Sequence, residues 1–285
     1  VSEGDHLRQY RLSGAPVLSS DAMVPPVGFF DSGVGGLSVA RAFRSYAPLE
    51  PILYFADTAW FPYGGRPAAE IRKRAFAALH ALIARGAKLV VVACNTASAA
   101  ALSDLRAAFP VPIVGMVPGV KPAAAHTRSG VVLVLATPNT LDGELFRRVR
   151  EEYGSGVHVR AVAGHGLAEL VEEGRVGTRE ARVALERLLG PHVATGADVV
   201  VLGCTHYHFL MSDIRAIFPE LTVVDTSDAV ARRALAVLRE EGLVAPDGAG
   251  PATFELIASG PRARFETVAR SLVPELFAAH AETTA

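Results

Sequence analysis

Gly86-Ala87-Lys88-Leu89-Val90-Val91-Val92-Ala93-Cys94-Asn95-Thr96 is echoed by Gly196-Ala197-Asp198-Val199-Val200-Val201-Leu202-Gly203-Cys204-Thr205-His206. Each copy runs Gly-Ala, an apolar strand, then a cysteine. The offset is 110 residues (204 − 94), and the only two cysteines of the chain hold the same place in both copies. Downstream, Asp104-Leu105-Arg106-Ala107-Ala108-Phe109-Pro110 returns as Asp213-Ile214-Arg215-Ala216-Ile217-Phe218-Pro219, offset by 109 (213 − 104). Short, wholly apolar strands suit a parallel sheet covered on both faces. An internal duplication of a strand–Cys–helix–Phe-Pro–strand unit is the reading. It predicts two similar α/β domains that face each other with one thiol each.

Working outward, residues 27–30 form a strand that enters the turn Asp31-Ser32-Gly33-Val34-Gly35-Gly36, with an apolar helical pattern after it. A glycine-rich turn before a helix suits an anion. The dinucleotide fingerprint fails, because the third glycine follows at once instead of three positions on. Asp31 at the strand end favours a ligand that carries an ammonium as well as an anionic group. A second strand, 52–55, ends at Asp57. The loop from Trp60 to Pro67 is rich in aromatic residues, Pro and Gly, and reads either as a cover for a ligand or as a plain connector.

Helical spacing covers 68–84 and 99–109. The strand at 89–92 reads as central, and another strand spans 113–117. The second half repeats the alternation, with strands at 131–135, 157–162, 199–202 and 221–224. Helices are expected at 141–153, 179–189, up to 218, and 229–240, with a turn after 166–173. An edge strand at 254–258 and a helix at 265–279 close the chain. Alternation of this kind gives an α/β fold with parallel sheets. Ligands then bind at the carboxyl ends of strands. Asp31, Asp57, Cys94, Thr137 and Cys204 all fall at such ends, which points to one shared site. The expected division is a mobile extension over 1–26, with Met23 a candidate start, a first domain of 27–117 plus 226–285, and a second of 118–225.

The 285 residues are 50% hydrophobic and 20% charged, with a formal net charge of -1. That supports packed cores and gives no electrostatic footing for nucleic acid or a membrane surface. No apolar run approaches the roughly 20 residues of a membrane helix. Residues 1–26 lack a secretory pattern, so the expected compartment is the reducing cytoplasm and the expected cysteines are free thiols.

Two thiols on opposite sides of a small substrate can invert a stereocentre without a cofactor. One thiolate removes a proton from carbon and the opposite thiol returns one to the other face. A thiol beside a helix N-terminus has its pKa drawn from about 8.5 toward neutrality. On this reading Asp31 orients Cys94, His206 supports Cys204, and Asn95, Thr96 and Thr205 hold a carboxylate. Three rivals stand beside it. Cys204, His206 and His208 could ligate a metal if the strand continued. Cys94 and Cys204 could form a disulfide. A clefted fold could also serve a non-catalytic amino-acid-binding protein. A pyridoxal enzyme would need a Schiff-base lysine, for which Lys121 is the one candidate.

Four stretches carry a resemblance. They are Gly28-Phe29-Phe30-Asp31-Ser32-Gly33-Val34-Gly35-Gly36-Leu37, Asp57-Thr58-Ala59 with Pro62-Tyr63-Gly64, Ala93-Cys94-Asn95-Thr96-Ala97, and Gly203-Cys204-Thr205-His206-Tyr207. In order, they resemble the motifs of bacterial glutamate racemases, within the cofactor-independent aspartate/glutamate racemase family. The resemblance implies two pseudo-two-fold α/β domains with the active site in the cleft between them. It implies interconversion of L- and D-glutamate for peptidoglycan, in the cytoplasm, by a homodimer without cofactor or metal. Another acidic amino acid, such as aspartate, is the alternative substrate. By motif position Cys94 and Cys204 are the acid/base pair, assisted by Asp31 and His206. Ser32, Pro62, Tyr63, Gly64, Asn95, Thr96, Thr140 and Thr205 hold the substrate. The chain departs from the family pattern at His208, where proline is usual, at 162–167, and at Asn139, which replaces a glycine. The divergence at 162–167 leaves Glu172 without an assigned role.

Overall fold

A computed structural model describes residues 24–154, 156–249 and 252–278. All but the last three residues of the expected 1–26 extension, Met23 included, lie outside them. The chain runs β1 (Val27–Asp31), α1 (Leu37–Tyr46), β2 (Ile52–Ala56), α2 (Ala68–Ala84), β3 (Leu89–Val92), α3 (Asn95–Ala108) and β4 (Ile113–Gly115). It continues through α4 (Val120–His126), β5 (Val131–Ala136), α5 (Pro138–Asp142), α6 (Glu144–Tyr153), β6 (His158–Ala163), α7 (Leu167–Glu172), α8 (Arg179–Val193) and β7 (Val199–Gly203). A 3₁₀ segment, Thr205–Leu210, leads to α9 (Met211–Ile217), β8 (Thr222–Val224), α10 (Ser227–Glu240), β9 (Phe254–Ala258), α11 (Arg262–Leu272) and α12 (Pro274–Ala278).

The strands form two sheets, ordered β4-β3-β1-β2-β9 and β6-β5-β7-β8, and every pairing is parallel. This is the α/β architecture expected from the alternation. Strands β1, β2, β3 and β7 are buried along their whole length, as their apolar sequences require, Asp31 at the end of β1 being the one charged residue among them. Phe29 of β1 packs on Phe43 of α1 at 5.4 Å between ring centres. Helix α1 in turn packs against α10. The buried pair Lys88–Glu50, at 2.6 Å, fastens the start of β3 to the loop before β2.

Register sets the site. Phe30 pairs with Val92, and the amide of Ala93 donates to the Phe30 carbonyl at 2.8 Å. Asp31 and Cys94 therefore emerge side by side at the carboxyl end of the first sheet. In the second sheet Ala136 pairs with Gly203, which brings Thr137 beside Cys204.

Several boundaries differ from the sequence reading. The centre of the first sheet is β1, not β3; an apolar strand reports two neighbours, not the middle rank. The expected helix over 141–153 begins earlier and breaks at Gly143, whose backbone is extended (φ -71°, ψ 147°). A Cβ there would lie 3.1 Å from the Ala99 side chain of α3, so the missing side chain leaves room for α3 beside the break. Residues 167–172, read as leading into a turn, form α7. Helix α8 runs on to Val193, past Pro191.

Candidate active site

A cavity of about 130 Å³ lies at the carboxyl ends of both sheets and is lined by both cysteines. Cavities near 150 Å³ hold molecules of about benzene size, so the space suits a small metabolite. From the first sheet come Ser32, Pro62, Tyr63, Gly64, Cys94, Asn95 and Thr96; from the second come Cys204, Thr205 and His206. Asp31 and Thr140 do not line the cavity. Asp31 is fully buried behind Cys94. The Thr140 hydroxyl reaches Thr137 at 2.9 Å, and Thr137, which does line the cavity, reaches Thr96 at 2.9 Å.

The two thiols are held differently. Cys94 caps α3, and its sulfur accepts the Ala97 amide at 3.5 Å. Cys204 precedes a 3₁₀ turn, with His206 Nδ1 3.8 Å from its sulfur. Both are free thiols and both are buried.

Their electrostatic surroundings are opposite. Burial, and then the Asp31 carboxylate, push the Cys94 thiol well above its ordinary range. This overturns the expected lowering by the helix N-terminus: a few partial charges do not offset full burial beside a carboxylate. Burial likewise raises Asp31, despite the nearby His206 and hydrogen bonds from Cys94 and the Gly36 amide, the latter at 2.6 Å. Burial alone would lower His206, yet hydrogen bonds to Cys204 and Glu172 carry it well above its ordinary value. Cys94 is thus kept as a thiol, while Cys204 faces a cation.

Glu172 is the residue the sequence reading left without a role. Its Oε1 accepts both from His206 Nε2 at 2.7 Å and from the Val34 amide at 2.6 Å. It orients the imidazole and ties α7 to the glycine-rich turn. Nothing in its local sequence marks it, because its two partners lie 34 and 138 residues away along the chain. The divergent 162–167 segment also reaches the site, with Gly164, His165 and Gly166 on the cavity wall.

His208 turns away from the cavity. Its Nδ1 meets Ser227 at 2.6 Å and Ser38 at 3.1 Å, and burial lowers its pKa. Cys204, His206 and His208 therefore do not converge, because the strand stops at Gly203 and the turn sends each imidazole to different partners. Among the described residues, no three His, Cys, Asp or Glu side chains are grouped to hold a metal. Tyr63 donates to Asp57 at 2.6 Å, and Arg74 holds the same carboxylate from 2.6 and 2.8 Å. Asp57 thus anchors the loop from Trp60 to Pro67 from behind. Both amide atoms of Asn95 are buried without a protein partner although the residue lines the cavity. An orphan of that kind costs about 1–3 kcal/mol per group unless something in the cavity pairs it.

The raised His206 value gives a pH signature. The folded-state pKa lies above the unfolded value near 6.5. Its ionic hydrogen bonds therefore stabilise the fold fully below about pH 6.5 and are lost as pH rises through the folded value. His206→Gln is expected to melt below the parent, with the gap widest near about pH 6 and closing toward alkaline pH. Thermal denaturation across pH checks this; a gap independent of pH would contradict it.

Known proteins place this geometry. A family model described as Asp/Glu/Hydantoin racemase matches residues 37–234. A glutamate racemase of Roseiflexus sp. (strain RS-1) is 52% identical over 227 residues, covering 79% of this chain and 84% of that protein. The structure of Escherichia coli glutamate racemase in complex with L-glutamate and the activator UDP-MurNAc-Ala superposes with a TM-score of 0.76 at 35% identity, covering 90% of this chain and 95% of that one. Glutamate racemase from Francisella tularensis in complex with D-glutamate gives 0.76 at 26% identity, over 88% and 94%. With the family model spanning well over half of its residues, the chain belongs to the Asp/Glu/hydantoin racemase family.

Proposed function

We propose that this protein interconverts L- and D-glutamate by two-thiol proton transfer at the α-carbon. The observation that carries the reading is the pair of buried cysteines lining one cavity, Cys94 beside Asp31 and Cys204 beside His206. Relatives bound to L-glutamate and to D-glutamate support the substrate.

In one direction the Cys204 thiolate takes the α-proton, and the S–H bond forms as the C–H bond breaks. The electron pair is left on the α-carbon and its carboxylate. The Cys94 thiol then gives its proton to the opposite face and becomes a thiolate. The other enantiomer reverses the roles. A general acid and a general base are needed in opposite protonation states; burial and Asp31 favour the protonated form of Cys94, and the His206 imidazole, whose cationic form is favoured, lies beside Cys204. The carboxylate rests on Asn95, Thr96 and Thr205, while Ser32 with the Pro62-Tyr63-Gly64 stretch positions the rest of the substrate. Asp31 and His206 assist the two thiols, and Thr140 acts through Thr137.

The proposal extends to a two-unit machine of 27–117 with 226–285 and of 118–225, working as a cytoplasmic homodimer that supplies D-glutamate for peptidoglycan. The motif resemblance supports these points. Among the described residues no helix is long and apolar enough to cross a membrane.

The test is circular-dichroism turnover of cofactor-free protein with L-glutamate and L-aspartate in deuterated water. Loss of optical signal with glutamate alone, and deuterium at its α-carbon, is the expected result. Turnover of aspartate instead would shift the substrate. No exchange with either acid would favour a binding protein.

A further inference from the structure

Beside the Thr96–Thr137 and Val34–Glu172 bonds, a further polar side chain joins the two halves of the site without touching the cavity chemistry. Asn139, on α5 beside the second sheet, reaches across the cleft to the loop between β2 and α2. Its Oδ1 accepts the Gly65 amide, and its Nδ2 donates to the Arg66 carbonyl at 2.7 Å. An amide facing one N–H and one C=O has a single orientation that satisfies both, so the pairing is directional. The loop it grips is braced from within. The Arg66 guanidinium folds back to donate to the carbonyls of Trp60 at 2.9 Å and Pro62 at 3.0 Å, and it stacks 5.2 Å from the Trp60 ring. The contact is also close-packed, since a Cβ on Gly64 would lie 3.3 Å from Thr137. Pro62, Tyr63, Gly64 and Gly65 line the cavity, so what holds the loop also sets the shape of the site.

We infer that Asn139 is a positioning residue of the racemase site: its amide clasps the cover loop to the opposite unit and keeps the cleft closed in the form that binds substrate. The catalytic side of this inference rests on the racemase reading above. Without the clasp the loop samples open forms, and apparent affinity falls by the fraction of molecules still closed. The assembled complex is unchanged, so turnover within it persists. Both enantiomers use the same closed form, so both KM values rise by the same factor.

Asn139→Ala should raise KM for L- and for D-glutamate by about tenfold, as expected for two lost hydrogen bonds, while kcat in either direction changes less than about threefold. Amide exchange of Gly65, measured on the protein without substrate, should accelerate. Asn139→Asp keeps the acceptor but not the donor, so Gly65 stays protected while KM still rises. Unchanged KM and unchanged Gly65 exchange in Asn139→Ala would overturn the clasp. A parallel fall of kcat and melting temperature with KM unmoved would overturn it too, as plain structural loss. If the parent protein fails to racemise glutamate, the racemase reading falls, and Gly65 exchange alone still decides whether the clasp exists.

Discussion

Cys94→Ser and Cys204→Ser are each expected to lower racemisation by about 10²- to 10⁴-fold, the range a positioned acid or base contributes. The hydroxyl is close in shape to the thiol, so the fold should survive, and circular dichroism should report unchanged secondary structure. What is lost is a group able to exist as an anion and as an acid at one pH. At position 94 the site already holds the thiol protonated by burial and Asp31; a serine there would hold its proton harder still. At position 204 the loss strands the His206 cation, which is 3.8 Å from the sulfur and bound to Glu172 on its far side. Each single variant keeps one competent thiol. In deuterated water each should therefore exchange the α-proton of one enantiomer without inverting it, and the two variants should select opposite enantiomers. Proton resonance of recovered glutamate reads this directly. Normal racemisation in either variant would end the two-thiol mechanism.

Gly35→Ala is expected to be nearly as damaging, by a different route. Gly35 is absent from the glycines with left-handed backbone, so conformational freedom is not what the position demands. It demands space. A Cβ there would collide with the His206 imidazole and come within 2.7 Å of the Thr205 hydroxyl. His206 has no room to retreat, since Glu172 holds its other nitrogen and the Phe61 ring lies 5.5 Å away. The imidazole must shift off Cys204, or the turn before α1 must move. Overpacking of this kind costs about 1–3 kcal/mol. A displacement near 1 Å at a catalytic group costs about 10²-fold in rate. Steady-state kinetics with thermal denaturation separates the two effects; a variant with parental kcat and melting temperature would show that the turn yields freely.

The paired Gly-Ala–strand–Cys stretches carried the fold, because strand ends in a parallel sheet are where chemistry gathers and because the two cysteines matched. Contacts between distant segments were not legible in that way. Glu172 belongs to the site through Val34 and His206, 138 and 34 residues away along the chain. Thr137 was read as a strand end, while its place in a hydroxyl chain from Thr140 to Thr96 depends on the packing of α5 against α3. The Cys94 value went the opposite way from the helix-terminus argument because burial is made by neighbours, not by the local sequence. The closeness of Ala99 to Gly143 was hidden for the same reason, since it lies on another helix.

Strand β9 completes the first sheet by pairing with β2 over five residues, from Ile52 with Phe254 to Ala56 with Ala258. On a ribosome, the outer partner of β2 is therefore made last, although β1, on its other side, is already present. At about 5–20 residues per second, the 198 positions from 56 to 254 take about 10–40 s to synthesise. By residue 224 the second sheet has all of its strands, while Ile52-Leu53-Tyr54-Phe55-Ala56, paired with β1 on one side, still presents an open apolar edge on the other. Open edges of that kind recruit other chains. Nascent chains that stall before residue 254 would accordingly carry that open edge, which the docking of β9 covers.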